Sequence, residues 1–228
     1  KLMNIIVIAI DILLILYLLC ILILHIQCRD RMCYTLSTNP LILVIDDFVS
    51  HDECDHIIRL CESRFNPSKV TKKGENAYSE ARTSYSAMLQ ASEDTIIQNI
   101  EERATLFTQT PVSHIEPFQV VRYTKGQQYK KHFDYFIGER ADIEREKAGQ
   151  RDCTLFVYLN DVDEGGCTYF PRLDIRICPK KGRAIFWRNL YPDGSEHPLT
   201  QHCGEPIKKG IKYGLNIWTR ERVYRKDT

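Results

Sequence analysis

His132-Phe133-Asp134 is a place in the sequence where residue types and spacing could do chemistry. In a β-strand, residues two apart point to one face, so His132 and Asp134 can share a ligand. A third donor must come from elsewhere, and His202, after the turn and polar stretch from Asp193 to Gln201, is the candidate. Two imidazoles and a carboxylate on one face of a metal leave three positions open. That set suits a non-haem Fe(II) centre, which must bind a chelating cosubstrate and O2 together. Ten residues after His202 stands Lys212, at the start of a predicted strand. A dicarboxylic cosubstrate that chelates the metal through its keto-acid end needs such a cation for its far carboxylate. Taken singly, the signals are weak: a lone HxD is more often two exposed strand residues, and a lone strand lysine faces solvent. The same three donors could also hold zinc for hydrolysis, but that leaves Lys212 without a purpose and offers no evident general base. His197, after Ser195-Glu196, competes with His202 for the third position.

The elements that must position these residues are legible in outline. Leu41 to Ile45 is a short apolar run that reads as a strand. Ser50-His51-Asp52-Glu53 opens a helix with a capping box, Ser50 at its start and Glu53 three residues on. Ser92 to Phe107 reads as a second helix, with Ile96, Ile97, Ile100 and Ala104 at helical spacing. The pattern then turns to period two. Ile115–Thr124, Gln128–Phe136, Cys153–Leu159, Ala184–Arg188 and Lys212–Thr219 all fit strands, separated by Gly- and Pro-containing turns. Helices followed by many short strands predict a mainly β domain, a sandwich or barrel with helices packed outside it. Val70–Ala77 and Gly138–Gln150 are polar connections that read as mobile, and the second follows directly on the metal-ligand strand. Long polar connections beside a site act as lids over a bound chain, though a short helix is the plain alternative for the second.

Composition bounds the remaining classes. The chain has 228 residues, with 31 Lys and Arg against 30 Asp and Glu, so its net charge makes no case for nucleic-acid binding. From Ile5 to Leu24 there are sixteen Ile, Leu or Val residues and one charge, Asp11. Such a stretch is long enough for a bilayer core, and no small-residue cleavage pattern follows it. The expectation is a membrane anchor over residues 1–28, a polar stalk over 29–40 and one domain over 41–228. The nine cysteines contain no CxxC pair, which weakens zinc-ribbon and thioredoxin readings.

Set in order, the motifs resemble the prolyl 4-hydroxylase family. The matching stretches are Phe118-Gln119-Val120-Val121-Arg122-Tyr123, Gly126-Gln127-Gln128-Tyr129-Lys130-Lys131-His132-Phe133-Asp134, Tyr158-Leu159-Asn160-Asp161-Val162 and Gly165-Gly166-Cys167-Thr168-Tyr169-Phe170-Pro171. Further on come Lys181-Gly182-Arg183-Ala184, His202-Cys203-Gly204-Glu205-Pro206-Ile207, Gly210-Ile211-Lys212 and Trp218. Spacing and order hold from about Leu41 to Trp218.

The resemblance implies a double-stranded β-helix (jelly roll) with flanking helices, preceded by the transmembrane helix. It assigns His132, Asp134 and His202 to Fe(II), Lys212 to the distal carboxylate of 2-oxoglutarate, and Tyr123 and Thr168 to hydrogen bonds around that cosubstrate. By the same likeness Tyr129 and Arg151 face a proline-containing peptide, and O2 and ascorbate complete the reagents. The implied activity is hydroxylation of peptidyl proline to 4-hydroxyproline with release of succinate and CO2. The alternatives are another peptidyl hydroxylase of the same fold, or a membrane-tethered jelly-roll binding module without chemistry. Lysyl hydroxylases resemble the pattern but use Arg where Lys212 stands. One departure matters: collagen-type and plant-type members carry His two residues after the final Trp, and Arg220 stands there. Arg220 is therefore expected to face the peptide and alter its preference. The likeness also implies a single-pass membrane protein of the endoplasmic reticulum.

Overall fold

Alternation along the strand Arg151–Tyr158 sets up the architecture. Its Leu155 and Val157 point into one apolar core, and Phe156 and Tyr158 into another. The computed structural model describes residues 33–225, except 69, 73, 74, 78 and 79. This strand lies near the middle of an eight-stranded antiparallel sheet. The order is Cys33–Thr38, Leu41–Ile45, Ala184–Arg188, Arg151–Tyr158, Lys212–Arg220, Gln119–Tyr123, Tyr85–Met88 and Asn66–Pro67. A four-stranded antiparallel sheet faces it, in the order Ile175–Ile177, Thr168–Phe170, His202–Gly204 and Tyr129–His132.

The first core is the layer between the large sheet and the helices. It joins Leu155, Val157, Leu215 and Ile217 to Cys54, Ile57, Ile97, Ile100 and Ala104. The helix His51–Cys61 begins at the expected capping box: the Ser50 hydroxyl accepts the Glu53 N–H at 3.2 Å, and the Ser50 N–H donates to the Glu53 carboxylate at 2.8 Å. The second core lies between the sheets and is largely aromatic, with Tyr123, Phe156, Tyr158, Phe170 and Trp187 beside Val121, Ile177 and Ile185. Period two then decides the site: in Lys212–Arg220, Leu215 and Ile217 face the helices, so Lys212, Gly214 and Trp218 face the inter-sheet side.

The described structure is mainly β with few helices, as a jelly-roll domain requires. Three expectations are corrected. The stretch read as a stalk contains the strand Cys33–Thr38, paired with Leu41–Ile45 at the sheet edge. Edge strands can be polar on both faces, and this one is mostly exposed, so its sequence looks like a linker. Gly138–Gln150 is not an open loop: Glu139–Ala148 is a helix. Val70–Lys72 and Glu75–Ala77 pair as a small hairpin.

A further correction concerns the membrane. The expected anchor at 1–28 lies outside the described residues. Among the described residues no helix is long and apolar enough to cross a membrane. The longest of these, Thr95–Thr108, has 14 residues. At about 1.5 Å per residue it reaches about 21 Å, short of a hydrocarbon core of about 30 Å. The single-pass membrane assignment, and the endoplasmic reticulum with it, therefore does not stand on this structure.

Gly214 offers a direct check of the inter-sheet packing. A Cβ there would stand 2.4 Å from Cζ and 2.8 Å from Cε2 of Phe156. Gly214→Val should cost about 1–3 kcal/mol by overpacking. Urea unfolding measures it, and an unchanged midpoint would show that Phe156 moves aside freely.

Candidate active site

Two register pairs build the site. His202 stands opposite His132 in the four-stranded sheet, and Lys212 stands opposite Tyr123 in the eight-stranded one. The first pair brings the two imidazole rings to 4.3 Å between centroids. Each ring is held the same way, through the backbone two residues earlier. His132 Nδ1–H donates to the Lys130 carbonyl at 2.8 Å, and His202 Nδ1–H donates to the Thr200 carbonyl at 2.9 Å. A carbonyl can only accept, so in the neutral rings the proton sits on Nδ1 and both Nε2 atoms present lone pairs.

Those lone pairs point toward Asp134. Nε2 of His132 lies 3.7 Å and Nε2 of His202 3.9 Å from Asp134 Oδ1. Both distances are beyond a hydrogen bond. The strand expected to run to Phe136 ends at His132, and Asp134 sits in the bend that follows. Its carboxylate is aimed by other means. Oδ2 accepts the Thr154 hydroxyl at 2.8 Å, Thr154 accepts from Asn189 Nδ2 at 3.0 Å, and Asn189 Oδ1 accepts the Trp187 indole N–H at 2.9 Å. Thr154, Asn189 and Trp187 are all buried, and Trp187 also packs edge-on to the His202 ring. This chain turns Oδ1 toward the imidazoles.

Burial, with His202 alongside, pushes the His132 imidazole down to about 3, so the ring is neutral at pH 7. Burial works against ionisation of Asp134, but the neighbouring His202, His132 and Arg151 outweigh it and hold the carboxyl below the ordinary range. The buried Trp218 indole N–H beside the carboxylate favours the same ionised state. An ionised carboxylate, the neutral His132 ring and His202, each with one ligand atom turned inward, thus converge within 4.8 Å. Such a set repels itself unless a cation stands in the middle, and two imidazoles with one carboxylate fit a divalent iron.

Lys212 is 2% exposed. Its Nζ donates to the Gly166 carbonyl at 2.6 Å and lies 5.0 Å from the ring centroids of Phe156 and Tyr158 and 5.6 Å from that of Tyr123. Among the described residues no carboxylate pairs with it, and burial pushes the ammonium down to about 7. An aromatic box around an unpaired ammonium is a receptor for an anion. Thr168 is buried nearby: the Tyr158 hydroxyl donates to the Ile177 carbonyl at 2.7 Å, receives the Thr168 N–H at 3.2 Å and lies 2.8 Å from Thr168 Oγ1. A Cys167–Cys178 disulfide ties the strand of Thr168 to that of Ile177. Nothing in the cysteine spacing pointed to that pairing.

Of the residues expected to meet a peptide, Tyr129 stacks on His132 with centroids 3.5 Å apart. Arg151 lies 3.7 Å over the Trp218 ring and is clamped by Glu116, with both contacts at 2.8 Å. Its Nη1 reaches toward the Asp134 carbonyl at 3.4 Å. Arg220 is a correction. It is 1% exposed, and Glu116, Glu144 and two backbone carbonyls occupy its guanidinium, so it cannot present donors to a peptide. His197 lies apart from the cluster, bonded to Asn39 at 2.8 Å and stacked on Tyr191. The sequence reading missed Arg82, 8% exposed and 5.0 Å over the Tyr129 ring, and Glu116, Thr154 and Asn189. Period two put Thr154 on the face of Phe156, but no local signal marks that face as a site wall.

Residues 118–220 match the family model described as the 2OG-Fe(II) oxygenase superfamily. The chain is 34% identical over 216 residues to a protein called probable prolyl 4-hydroxylase 8 from Arabidopsis thaliana, spanning 86% of this chain and 73% of that one. Prolyl 4-hydroxylase 5 of the same plant is 33% identical over 210 residues, spanning 83% and 71%. Among solved structures, the fold is similar to a viral collagen prolyl hydroxylase from Paramecium bursaria Chlorella virus-1, crystallised as its 2OG complex. The TM-score is 0.63 at 30% identity, over 85% of this chain and 98% of that one. A prolyl hydroxylase from Trichoplax adhaerens shares the fold at TM-score 0.62 and 17% identity, over 81% and 84%.

Thr154→Val keeps the side-chain volume and removes the hydroxyl that aims Asp134. Metal affinity should fall about 10–100-fold, as for lost outer-shell contacts. Titration with Mn(II) or Co(II) reads this directly. Unchanged affinity would mean that Asp134 is aimed without Thr154.

Proposed function

Because the chain belongs to the 2OG-Fe(II) oxygenases, and among them to the prolyl 4-hydroxylase family, we propose that His132, Asp134 and His202 hold Fe(II) and that Lys212 takes the distal carboxylate of 2-oxoglutarate. The enzyme hydroxylates peptidyl proline to 4-hydroxyproline. One atom of O2 enters the product, and 2-oxoglutarate leaves as succinate and CO2. Fe(II), when bound, would activate O2 for C–H hydroxylation, with O2 as the oxidant and its second atom leaving in succinate. The observation that carries the residue assignment is the pairing of a converging three-donor cluster with a buried ammonium that, among the described residues, lacks a carboxylate.

The chain's own residues do the positioning. The carbonyls of Lys130 and Thr200 fix which imidazole nitrogen carries the proton, and Thr154 fixes which carboxylate oxygen faces inward. Lys212 and the ring wall around it orient the dicarboxylate and keep water away from its far end, with Tyr123 and Thr168 as the further polar contacts proposed there. Tyr129, stacked on His132, offers an aromatic face for a pyrrolidine ring, and Arg151 offers donors to a peptide carbonyl. Ascorbate is proposed as the reductant on the family's likeness.

His132→Ala, Asp134→Ala and His202→Ala should each lower turnover about 100-fold or more, as for loss of a positioned catalytic group. His197→Ala should keep metal affinity. The assay is a 16 Da gain in a proline-rich peptide, read by mass spectrometry alongside metal titration. Full activity in His202→Ala, with loss in His197→Ala, would overturn the assignment.

Lys212 sets a pH dependence whose sign is fixed. Its value in the fold is about 7, below the free value of 10.5. The unfolded chain therefore binds the proton more readily between these values, and the unliganded protein gains stability from this group as pH rises through that window. The dicarboxylate needs the charged form, so its binding takes up a proton above pH 7. The apparent Kd for 2-oxoglutarate on Mn(II)-loaded protein should rise about tenfold per pH unit above pH 8, and Lys212→Arg should flatten that rise. A wild-type profile that is already flat counts against the role of Lys212.

A further inference from the structure

The helix Glu139–Ala148 begins five residues after Asp134, and little apolar surface holds it in place. Among its described residues the buried apolar ones are the small Ala141 and Ala148, beside the buried Glu144, while Ile143 is 53% exposed. Burying two alanines contributes little, since the hydrophobic gain scales with the area removed from water. The helix also lies between two glycines with backbones outside the helical region, Gly138 at φ 68 and Gly149 at φ 76. A Cβ at Gly149 would stand 2.7 Å from Glu221, so that junction is closed to other residues. The segment is pinched at its base by Gln150, whose side-chain amide accepts the Phe136 N–H at 2.7 Å and donates to the Phe136 carbonyl at 2.8 Å.

What grips the helix itself is polar: at the surface Arg222 donates to the carbonyls of Arg145, Glu146 and Ala148 and Arg145 pairs with Glu196, while beneath it the buried hold comes from Arg220. Arg220 donates to the Glu144 carbonyl at 2.7 Å, to the Gly149 carbonyl at 2.6 and 3.1 Å, and to the Glu144 carboxylate at 3.1 Å. The Gly149 carbonyl lies just past the helix C-terminus, where a cation also meets the negative end of the helix dipole. The same guanidinium donates to Glu116 at 3.1 Å, and Glu116 clamps Arg151 with two contacts of 2.8 Å. Arg151 in turn lies flat on Trp218 and reaches the backbone of Asp134. One buried residue thus joins the helix to the arginine at the site.

We propose that Arg220 is a positioning residue: it latches the helix Glu139–Ala148 beside the Asp134 bend and, through Glu116, sets the direction in which Arg151 presents its guanidinium. The helix-latching part stands on geometry alone. The consequence for the peptide rests on the proposed role of Arg151 as a peptide contact.

The test uses the full chain with Arg220→Lys and Glu144→Gln. Lysine keeps a positive charge beside Glu116, but a single ammonium cannot reach Glu116, Glu144 and the Gly149 carbonyl together. Glu144→Gln removes the helix carboxylate and leaves Arg220 paired with Glu116. Hydrogen exchange without ligands should speed up about tenfold or more at 139–148 in both variants and stay unchanged in the strands 151–158 and 212–220. Arg220→Lys should also raise KM for a proline-rich peptide about tenfold while KM for 2-oxoglutarate holds. If Arg220→Lys does not fold, Glu144→Gln decides the latch by exchange alone. Unchanged exchange in the folded variants overturns the latch. Faster exchange with an unchanged peptide KM overturns the link to Arg151. A wild-type enzyme that hydroxylates no proline peptide would instead remove the functional reading and leave the exchange result standing.

Discussion

Two imidazole nitrogens and a carboxylate oxygen face one another at 3.7 and 3.9 Å, beyond hydrogen-bond reach, and much of the structure serves to hold them so. Left free, each ring would turn to donate a hydrogen bond to the carboxylate. The Lys130 and Thr200 carbonyls prevent this by taking the Nδ1 protons, and Thr154 does the equivalent for Asp134. Each histidine reaches the carbonyl two residues before it, and the antiparallel pair sets the two rings opposite each other. The chain behind Thr154 then runs through Asn189 to Trp187, whose ring packs on His202. The carboxylate and an imidazole are therefore supported by the same buried network, and a shift in one is felt by the other.

Lys212 shows the complementary device. The cluster gathers negative potential at one place, and Lys212 keeps a buried ammonium among aromatic rings without an anionic partner. Both arrangements cost folding free energy in the empty protein, and both are relieved by the groups they are shaped to receive. A dicarboxylate that chelates a cation with one end and meets an ammonium with the other answers the two at once.

The region around Arg151 is organised by charge pairing of a different kind. Arg151 and Arg220 share Glu116, and Glu144 closes the group from the helix. Paired charges beneath a helix with little apolar contact give a hold that is directional and confined to a few atoms. The Arg220 side chain turns inward to Glu116, Glu144 and the Gly149 carbonyl.

The sequence by itself determined the chemistry and most of the framework. HxD spacing, a following His, a lysine ten residues on and the ordered family motifs picked out His132, Asp134, His202 and Lys212. Short apolar and β-branched runs marked Cys153–Leu159, Ala184–Arg188 and Lys212–Thr219, within a residue or two of the observed strands, because strands packed on both faces must be largely apolar. The edge strand Cys33–Thr38 and the helix Glu139–Ala148 were not legible, since an exposed edge and a helix held by ion pairs carry no apolar period. Nor did any local pattern show that the side chain of Arg220 turns inward. That outcome is fixed by Glu116 and Glu144, which lie 104 and 76 residues away along the chain and meet Arg220 only when the strands and the helix are in place. Thr154 and Asn189 follow the same logic. Tertiary structure alone decided them, because a buried hydrogen bond depends on which atoms come to lie opposite one another and not on the residues beside them in sequence.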